Sequence, residues 1–300
     1  MTLWIPITVA AALFQTLRFM LQRQLSLGTL SATGATLARF LYSAPLVAVL
    51  IFAYMRATGQ VFPAFGWQFW AYGAMGGLAQ ILATVATVRL FQARNFAVGI
   101  TFKKTEVMQA VLVGWVLLGD VVSLVGFAAI GLGLVGVLLL SAPPDMVRWG
   151  WRELANRSTG LGLMAGLFFA VSGVSYRGAS LSLDLADPLA RAGLTLAAVT
   201  AMQTVAMLLW LRWREPGQVA AVWAARRVAV WVGLMSMAGS FCWFTAFTLQ
   251  NAAYVNAVGQ VELVMSALAS VLIFREKVTA REWLGMAVLL TSILLLIAVI

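Results

Sequence analysis

The sequence predicts an all-α membrane protein in which ten transmembrane helices form two inverted five-helix repeats. Ten apolar stretches of about 18–25 residues fill the chain, and an α-helix needs about 20 apolar residues to cross a bilayer. The 300 residues are 62% hydrophobic and only 10% charged, whereas a soluble domain is about 25% charged. The two halves also share a pattern of acidic residues.

The apolar stretches define the expected spans, and the loops between them are too short for a soluble catalytic domain. Pro45 lies inside the second span and should kink that helix. Asp187 and Pro188 form an N-cap followed by a first-turn proline at the start of the seventh span. The ten expected spans cover residues 3–25, 32–55, 67–90, 96–118, 122–141, 159–182, 188–211, 228–250, 254–274 and 281–300.

Acidic residues recur at one spacing in the two halves of the chain. Glu106 lies within the fourth span and Asp120 follows that span 14 positions later. Glu262 and Glu276 repeat the same spacing of 14 positions around the ninth span. An internal repeat explains the match, and chance similarity between apolar helices is the alternative.

The repeat divides the chain into three parts. We expect a first five-helix repeat over residues 1–141, a connecting loop over 142–158 and a second five-helix repeat over 159–300. Because five is an odd number, the second repeat enters the membrane from the opposite side. Transporters with such inverted repeats bind their solute between the two halves.

Two five-helix halves, each with a Glu in its fourth helix and an acidic residue directly after it, resemble the ten-helix, EamA-type branch of the drug/metabolite transporter superfamily. The resemblance implies export or exchange of small organic metabolites such as amino acids, nucleotide sugars or drugs. Among its members, YddG-like amino-acid exporters are the first relatives to consider. The mid-helix Glu of that family is often followed by Pro, whereas Val107 and Leu263 follow it here.

Residue types that are missing or rare narrow the chemistry. The chain has no His, which excludes Ser–His catalysis, His-ligated metal and His-ligated haem, and its one Cys cannot form an intrachain disulfide. No phosphate-binding Gly-x-x-x-x-Gly-Lys-Ser/Thr run is present, so a proton or substrate gradient should supply the energy.

We expect a protein that is not an enzyme and needs no cofactor or metal. The expected partners are a small-molecule substrate and membrane lipid without nucleic acid, and the chain could act as a monomer.

The sharpest candidate site combines Lys103, Lys104 and Glu106 in the fourth span. Ionised residues in the middle of a bilayer cost about 2.5–3.5 kcal/mol each unless they pair or face water. Lys103 and Glu106 are spaced i, i+3, so they share a helix face and can pair. Two interpretations are open: these residues line a polar cavity that binds a carboxylate or a proton, or both lysines reach the lipid headgroups.

The ninth span carries Asn256, Gln260 and Glu262 without any lysine. Glu262 has no cation within its own helix turn, and a buried carboxyl without a partner tends to be protonated. It is therefore a candidate proton carrier or, alternatively, a neutral hydrogen-bond donor to a neighbouring helix.

Polar stripes on four further spans suit an organic solute with an apolar part and a polar end, although small polar residues also pack helices together. Together with the fourth and ninth spans they give one predicted substrate site. Its residues are Gln15, Gln80, Thr84, Lys103, Glu106, Tyr176, Ser240, Trp243, Asn256, Gln260 and Glu262.

The sequence thus favours a secondary transporter that exports small organic metabolites by alternating access, most simply amino acids with aromatic or other bulky side chains. A drug or nucleotide-sugar carrier of the same fold and a channel or scramblase are the alternatives. An intramembrane protease is disfavoured because Asp120 falls at a helix end without a partner Asp inside a span.

The Arg and Lys residues of the loops predict the orientation in the plasma (inner) membrane. About fourteen flank the loops after the odd-numbered spans, whereas the other side has little beyond Arg56, Arg177 and Arg191. The positive-inside rule places the Arg-rich loops in the cytoplasm, and both termini then lie outside it.

Overall fold

The computed structural model describes residues 3–28, 30–92, 96–141, 156–265 and 279–299, and within these ranges it contains helices and no strand. This confirms the all-α fold class. The helices, numbered in chain order, are α1 (Trp4–Ser26), α2 (Ala32–Leu41), α3 (Ser43–Ala57), α4 (Trp67–Phe91), α5 (Phe96–Lys103), α6 (Glu106–Leu118), α7 (Leu124–Ser141), α8 (Arg157–Leu181), α9 (Pro188–Arg214), α10 (Gln218–Ala224), α11 (Arg226–Leu249), α12 (Ala252–Gly259) and α13 (Ala280–Val299).

Eight of the ten expected spans are helices that are long and apolar enough to cross a membrane. The fourth and ninth expected spans take another form, because each is interrupted. The end of the ninth span, Glu276 and most of the connecting loop lie outside the described residues.

Two local signals act as the sequence predicts. The second span is divided into α2 and α3 at Tyr42, just before Pro45. Proline has no backbone N–H to donate to the carbonyl four residues earlier, here that of Leu41, and in a continuous helix its ring would clash with that carbonyl. The side chain of Asp187 caps α9 by accepting from the backbone N–H of Leu189 at 2.8 Å.

The fourth and ninth spans break at matching positions, although neither contains a proline. Lys104 and Thr105 form a turn between α5 and α6, directly before Glu106. In the ninth span α12 ends at Gly259, a turn follows at Gln260, and helical backbone resumes over 261–265. Thr105 helps to end α5 because its hydroxyl donates to the carbonyl oxygen of Phe102 at 2.7 Å, a local alternative to helical bonding.

The helices pack most extensively in three pairs: α4 with α8, α1 with α11, and α7 with α13. In span numbers these are the third with the sixth, the first with the eighth, and the fifth with the tenth. Spans one to five of the first half correspond to spans six to ten of the second half. If each span is replaced by its counterpart, the third–sixth pair becomes the eighth–first pair, and the fifth–tenth pair stays the same.

The bundle has two ends that differ in charge. Leu25, Val88, Leu211 and Val222 share an apolar cluster at one end, while Met55, Phe69, Leu183 and Ala190 share a cluster at the other. The first, which we call the Arg-rich end, carries Arg23, Arg89, Arg157, Arg212, Arg214, Arg226, Arg227 and Arg281. The second, the opposite end, carries Arg56, Arg177 and Arg191.

Candidate functional site

A narrow cavity of about 40 Å³ lies in the middle of the bundle, between the first, second, third, fourth, sixth, eighth and ninth spans. We call it the central cavity. Its walls combine charged groups, amides and aromatic rings. The lining residues are Gln15, Arg39, Gln80, Lys103, Glu106, Phe169, Ser172, Gly173, Tyr176, Ser240, Trp243, Phe244, Phe247 and Asn256.

The structure brings most of the predicted site residues together. Eight of the eleven line the central cavity, and the other three contact its lining. Thr84 accepts a hydrogen bond from Arg39 at 3.0 Å. Gln260 donates to Glu106 at 3.5 Å, and Glu262 accepts from the amide of Gln15 at 3.3 Å.

The helix break in the fourth span places opposite charges where the backbone favours them. Lys103 is the last residue of α5 and Glu106 the first of α6, and the lysine Nζ lies 3.7 Å from the carboxylate Oε2. A helix C-terminus carries partial negative charge and an N-terminus partial positive charge. Each side chain therefore sits at the helix end that stabilises its charge.

Lys104 turns to the other half of the chain and contacts the carboxylate of Glu262 directly. Lys103 and Lys104 are only 3% and 2% exposed, so neither reaches the headgroup region by extending its side chain. Both lysines therefore pair with carboxylates inside the bundle and do not extend to the lipid headgroups.

The expectation that Glu262 is buried without a cationic partner is wrong. Its partner comes from the fourth span, 158 positions away, rather than from its own helix turn. With Lys104 against one carboxylate oxygen and Gln15 3.3 Å from the other, Glu262 has partners for a charged carboxylate. The argument for a proton carrier at this position therefore loses its basis.

Arg39 is a site residue that the sequence analysis missed. Its guanidinium lines the central cavity, is 4% exposed, and donates to the hydroxyls of Thr84 at 3.0 Å and Ser240 at 3.2 Å. The sequence did contain a signal for Arg39, because it is a charged residue at the eighth position of an apolar span. Lys103 occupies the eighth position of the fourth span and was selected for the same reason.

Arg18, on α1, adds a second buried guanidinium beside the cavity. It is 2% exposed, donates weakly to Gln15 at 3.5 Å, and lies 4.1 Å from the centre of the Phe19 ring. The Nζ of Lys103 lies 5.3 Å from the centre of the same ring. Two cations thus lie over one aromatic ring, a favourable environment for positive charge.

Aromatic rings form the wall of the cavity that comes from the eighth span. Trp243 and Phe247 stack with 5.6 Å between their ring centres, and Phe244 stacks on Tyr176 at 4.1 Å. Gly259 permits this packing, because a Cβ there would lie 2.4 Å from the Trp243 ring. The wall offers stacking surface to a planar or apolar solute.

Tyr176 belongs to a buried polar network that ties three spans together. Its hydroxyl lies 3.0 Å from both the Gly76 carbonyl and the Gln80 side-chain oxygen. Gln203, which the sequence analysis did not select, donates to Gln80 at 3.0 Å and to the Gly77 carbonyl at 2.9 Å. The network holds Gln80 and Tyr176 in place on the cavity wall.

A second cavity of about 250 Å³, the vestibule, adjoins the central cavity and shares Lys103 with it. Arg23 and Phe91, at the Arg-rich end, also line it. Its full lining is Thr16, Phe19, Met20, Arg23, Thr87, Phe91, Ile100, Lys103, Lys104, Glu262 and Leu263.

The opposite end is closed by an ion pair between the fourth and sixth spans. Arg177 donates from Nε to Asp120 at 3.0 Å, and from Nη1 to the carbonyls of Phe247 at 2.9 Å and Gln250 at 3.0 Å. One guanidinium therefore holds the ends of α6, α8 and α11 together.

A second contact at this end joins the second span to the seventh. Tyr54 and Gln60 donate to the carboxylate of Asp187 at 2.7 and 2.8 Å. Burial raises the pKa of Asp187, but these hydrogen bonds and those from the backbone of Leu189 and Ala190 outweigh it and hold the pKa below its ordinary value.

No group of three His, Cys, Asp or Glu side chains could hold a metal ion within the part of the chain that the structure describes. The lining of the central cavity offers charge, hydrogen-bonding groups and stacking surface, which are the groups that contact an organic solute in binding sites.

Comparison with known proteins agrees with the fold. The model of the EamA-like transporter family matches residues 158–298. A crystal structure of another protein, 17% identical, superposes with a TM-score of 0.63 over 97% of this chain and 99% of that chain, which shows a shared fold. A search of curated proteins finds no match.

Proposed function

We propose that this chain, which belongs to the EamA-like transporter family through residues 158–298, is a secondary transporter that exports small organic metabolites, amino acids first among them. One observation carries the proposal: the central cavity sets buried cations beside an aromatic wall. A carboxylate would bind at Lys103, and an apolar or aromatic part would stack on Trp243 and Phe247.

The two halves, residues 1–141 and 159–300, form inverted repeats in this proposal. Two observations support the assignment. The fourth and ninth spans break at matching positions beside Glu106 and Glu262, and the principal helix pairs exchange when the halves are exchanged. A site between inverted repeats, lined by interrupted helices, is how many secondary transporters bind solute at mid-membrane.

The contrast between the two ends supports alternating access. The vestibule adjoins the cavity from the Arg-rich end, and Arg177 with Asp120 closes the opposite end. A solute that binds more tightly when both ends are closed shifts the equilibrium towards closure, and release of the Arg177 contacts then opens the opposite end.

The direction of transport depends on orientation. We propose that the Arg-rich end faces the cytoplasm of the plasma (inner) membrane and that both termini are extracytoplasmic. Eight described Arg at one end against three at the other support this by the positive-inside rule. The predicted contributions of Arg94, Arg148, Arg152, Arg275 and Lys277 lie outside the described residues. The vestibule then opens to the cell interior, which suits export.

A nucleotide-sugar carrier of the same fold is the second candidate, because the cations around the cavity outnumber the carboxylates. The same excess of positive charge disfavours a cationic drug. A channel is disfavoured because the opposite end is closed by three hydrogen bonds from Arg177.

Uptake into proteoliposomes tests the proposal. Purified protein should give saturable uptake of a labelled amino acid, and preloading with unlabelled amino acid should accelerate it. Glu106→Gln should reduce uptake, while Arg56→Gln, at an exposed position of the opposite end, should not. A flux that rises linearly with concentration would indicate a channel, and equal rates with protein-free liposomes would overturn the proposal.

A further inference from the structure

Two of the four buried cations around the central cavity have no carboxylate partner among the described residues. Lys103 pairs with Glu106, and Lys104 pairs with Glu262. Arg18 and Arg39 have only neutral partners, so among the described residues four basic groups face two carboxylates, an excess of +2 when all six are charged.

A buried guanidinium in this position is not satisfied by neutral groups alone. Arg39 has five N–H donors, of which those to Thr84 and Ser240 are matched, while its Nε has no hydrogen-bond partner among the described atoms. Positive charge inside a membrane protein is costly unless an anion or water compensates it. The Arg39 side chain lines the cavity, so a solute can reach it.

We propose that the transported solute carries two anionic groups and that Arg39 binds one of them, an inference that rests on the function proposed above. The planar guanidinium fork suits a carboxylate or a phosphate, both of which accept two parallel hydrogen bonds. Thr84 and Ser240 act as positioning residues, because their hydroxyls hold two guanidinium nitrogens in place.

The second anionic group binds at the other pair of cations. Arg18 and Lys103 lie over the same Phe19 ring, and Gln15, which accepts from Arg18, lines the cavity. The body of the solute then faces the aromatic wall of Trp243 and Phe247. Two anionic groups would neutralise the +2 charge, whereas a zwitterion would leave it unchanged.

Matched ligands test the requirement for two anionic groups. Glutarate and glutaramate are nearly equal in size and differ in one carboxylate, and 3-phosphoglycerate and glycerate differ in the phosphate. In each pair the first ligand, called the dianion here, has two anionic groups and the second has one. Thermal unfolding of the full-length protein in detergent, measured at several ligand concentrations, gives the dissociation constant of each ligand. In the preferred pair we expect the dianion to have a dissociation constant about 10- to 100-fold lower than its partner, because the dianion makes one more charge-assisted hydrogen bond. The pair with the larger ratio identifies the acid as carboxylate or phosphate.

Variants assign the preference to Arg39. Arg39→Gln should reduce the dianion ratio about 10-fold, and Arg39→Lys should keep only part of it, since lysine retains the charge but lacks the guanidinium fork. Arg56→Gln, an exposed arginine of the same span, is the matched control and should leave the ratio unchanged. If Arg39→Gln does not fold, the wild-type ligand ratios still decide.

The outcomes separate this inference from the proposed function. Saturable transport of leucine or phenylalanine, with glutaramate and glycerate binding as tightly as the two dianions, overturns the inference and leaves the transporter function standing. No saturable transport of any probe overturns both. Saturable transport with a dianion preference that Arg39→Gln removes supports both.

Discussion

The Nζ of Lys104 contacts the carboxylate of Glu262, so an ion pair joins the helix break of the first half to the matching break of the second half. Lys103 and Glu106 form a second pair, 3.7 Å apart, within the first break. Both glutamates of the repeated pattern therefore have a lysine partner from the first helix break, Lys103 for Glu106 and Lys104 for Glu262.

The cross-half pair gives a stability prediction. Lys104→Met should destabilise the protein by about 3–5 kcal/mol, because it leaves Glu262 buried without a cation. The double variant Lys104→Met with Glu262→Gln should recover much of that loss. Thermal unfolding of the two single variants and the double variant gives the coupling energy, and strictly additive losses would show that the two side chains do not interact.

The aromatic wall gives a selectivity prediction. Trp243→Ala should weaken the binding of aromatic solutes by about 0.5–1.5 kcal/mol more than that of small solutes, because stacking surface is lost. Competition in the uptake assay measures both classes of solute. Trp67→Ala is the control, since Trp67 is 77% exposed and distant from the cavity lining. An equal loss for every solute would indicate general packing damage.

The closed end gives an accessibility prediction. Arg177→Gln removes the contacts with Asp120, Phe247 and Gln250, so the opposite end should open more often. With Cys242 replaced by Ser and a single cysteine placed at Ser172 on the cavity wall, a membrane-impermeant thiol reagent added at that end should label about 10-fold faster. Unchanged labelling would mean that Arg177 does not control access.

Orientation can be read with reporter fusions after residue 300. In the proposed orientation, which rests on the excess of Arg at one end, the C-terminus lies outside the cytoplasm. A periplasmic phosphatase fused there should be active, and a green fluorescent protein should be dark. A fluorescent fusion together with an inactive phosphatase would reverse the proposed orientation and, with it, the side to which the vestibule opens.

Features with local causes could be predicted from the sequence. The length of the apolar stretches predicted eight of the long helices, Pro45 predicted the division of the second span, and Asp187 with Pro188 predicted the start of α9. Each of these features depends on residues within one or two helical turns, so the local sequence is enough to predict it.

Features that depend on distant contacts could not be predicted. Arg39 acquires its role from Thr84 and Ser240, 45 and 201 positions away, and the partner of Glu262 comes from another half of the chain. α5 also packs closely against α8, since a Cβ at Gly162 would lie 2.1 Å from the Gly99 carbonyl oxygen. No spacing rule within one helix reveals such neighbours.

Lys103 gives the most direct test of the central claim that solute crosses through the central cavity, because its side chain lines both the cavity and the vestibule. The measurement is solute counterflow in proteoliposomes with Lys103→Met, with the amount of folded protein set equal by size-exclusion chromatography. We predict that transport per folded protein falls about 10- to 100-fold, because a charged ligand contact is lost from a site that retains Arg18 and Arg39. Wild-type transport by the folded variant would contradict the account.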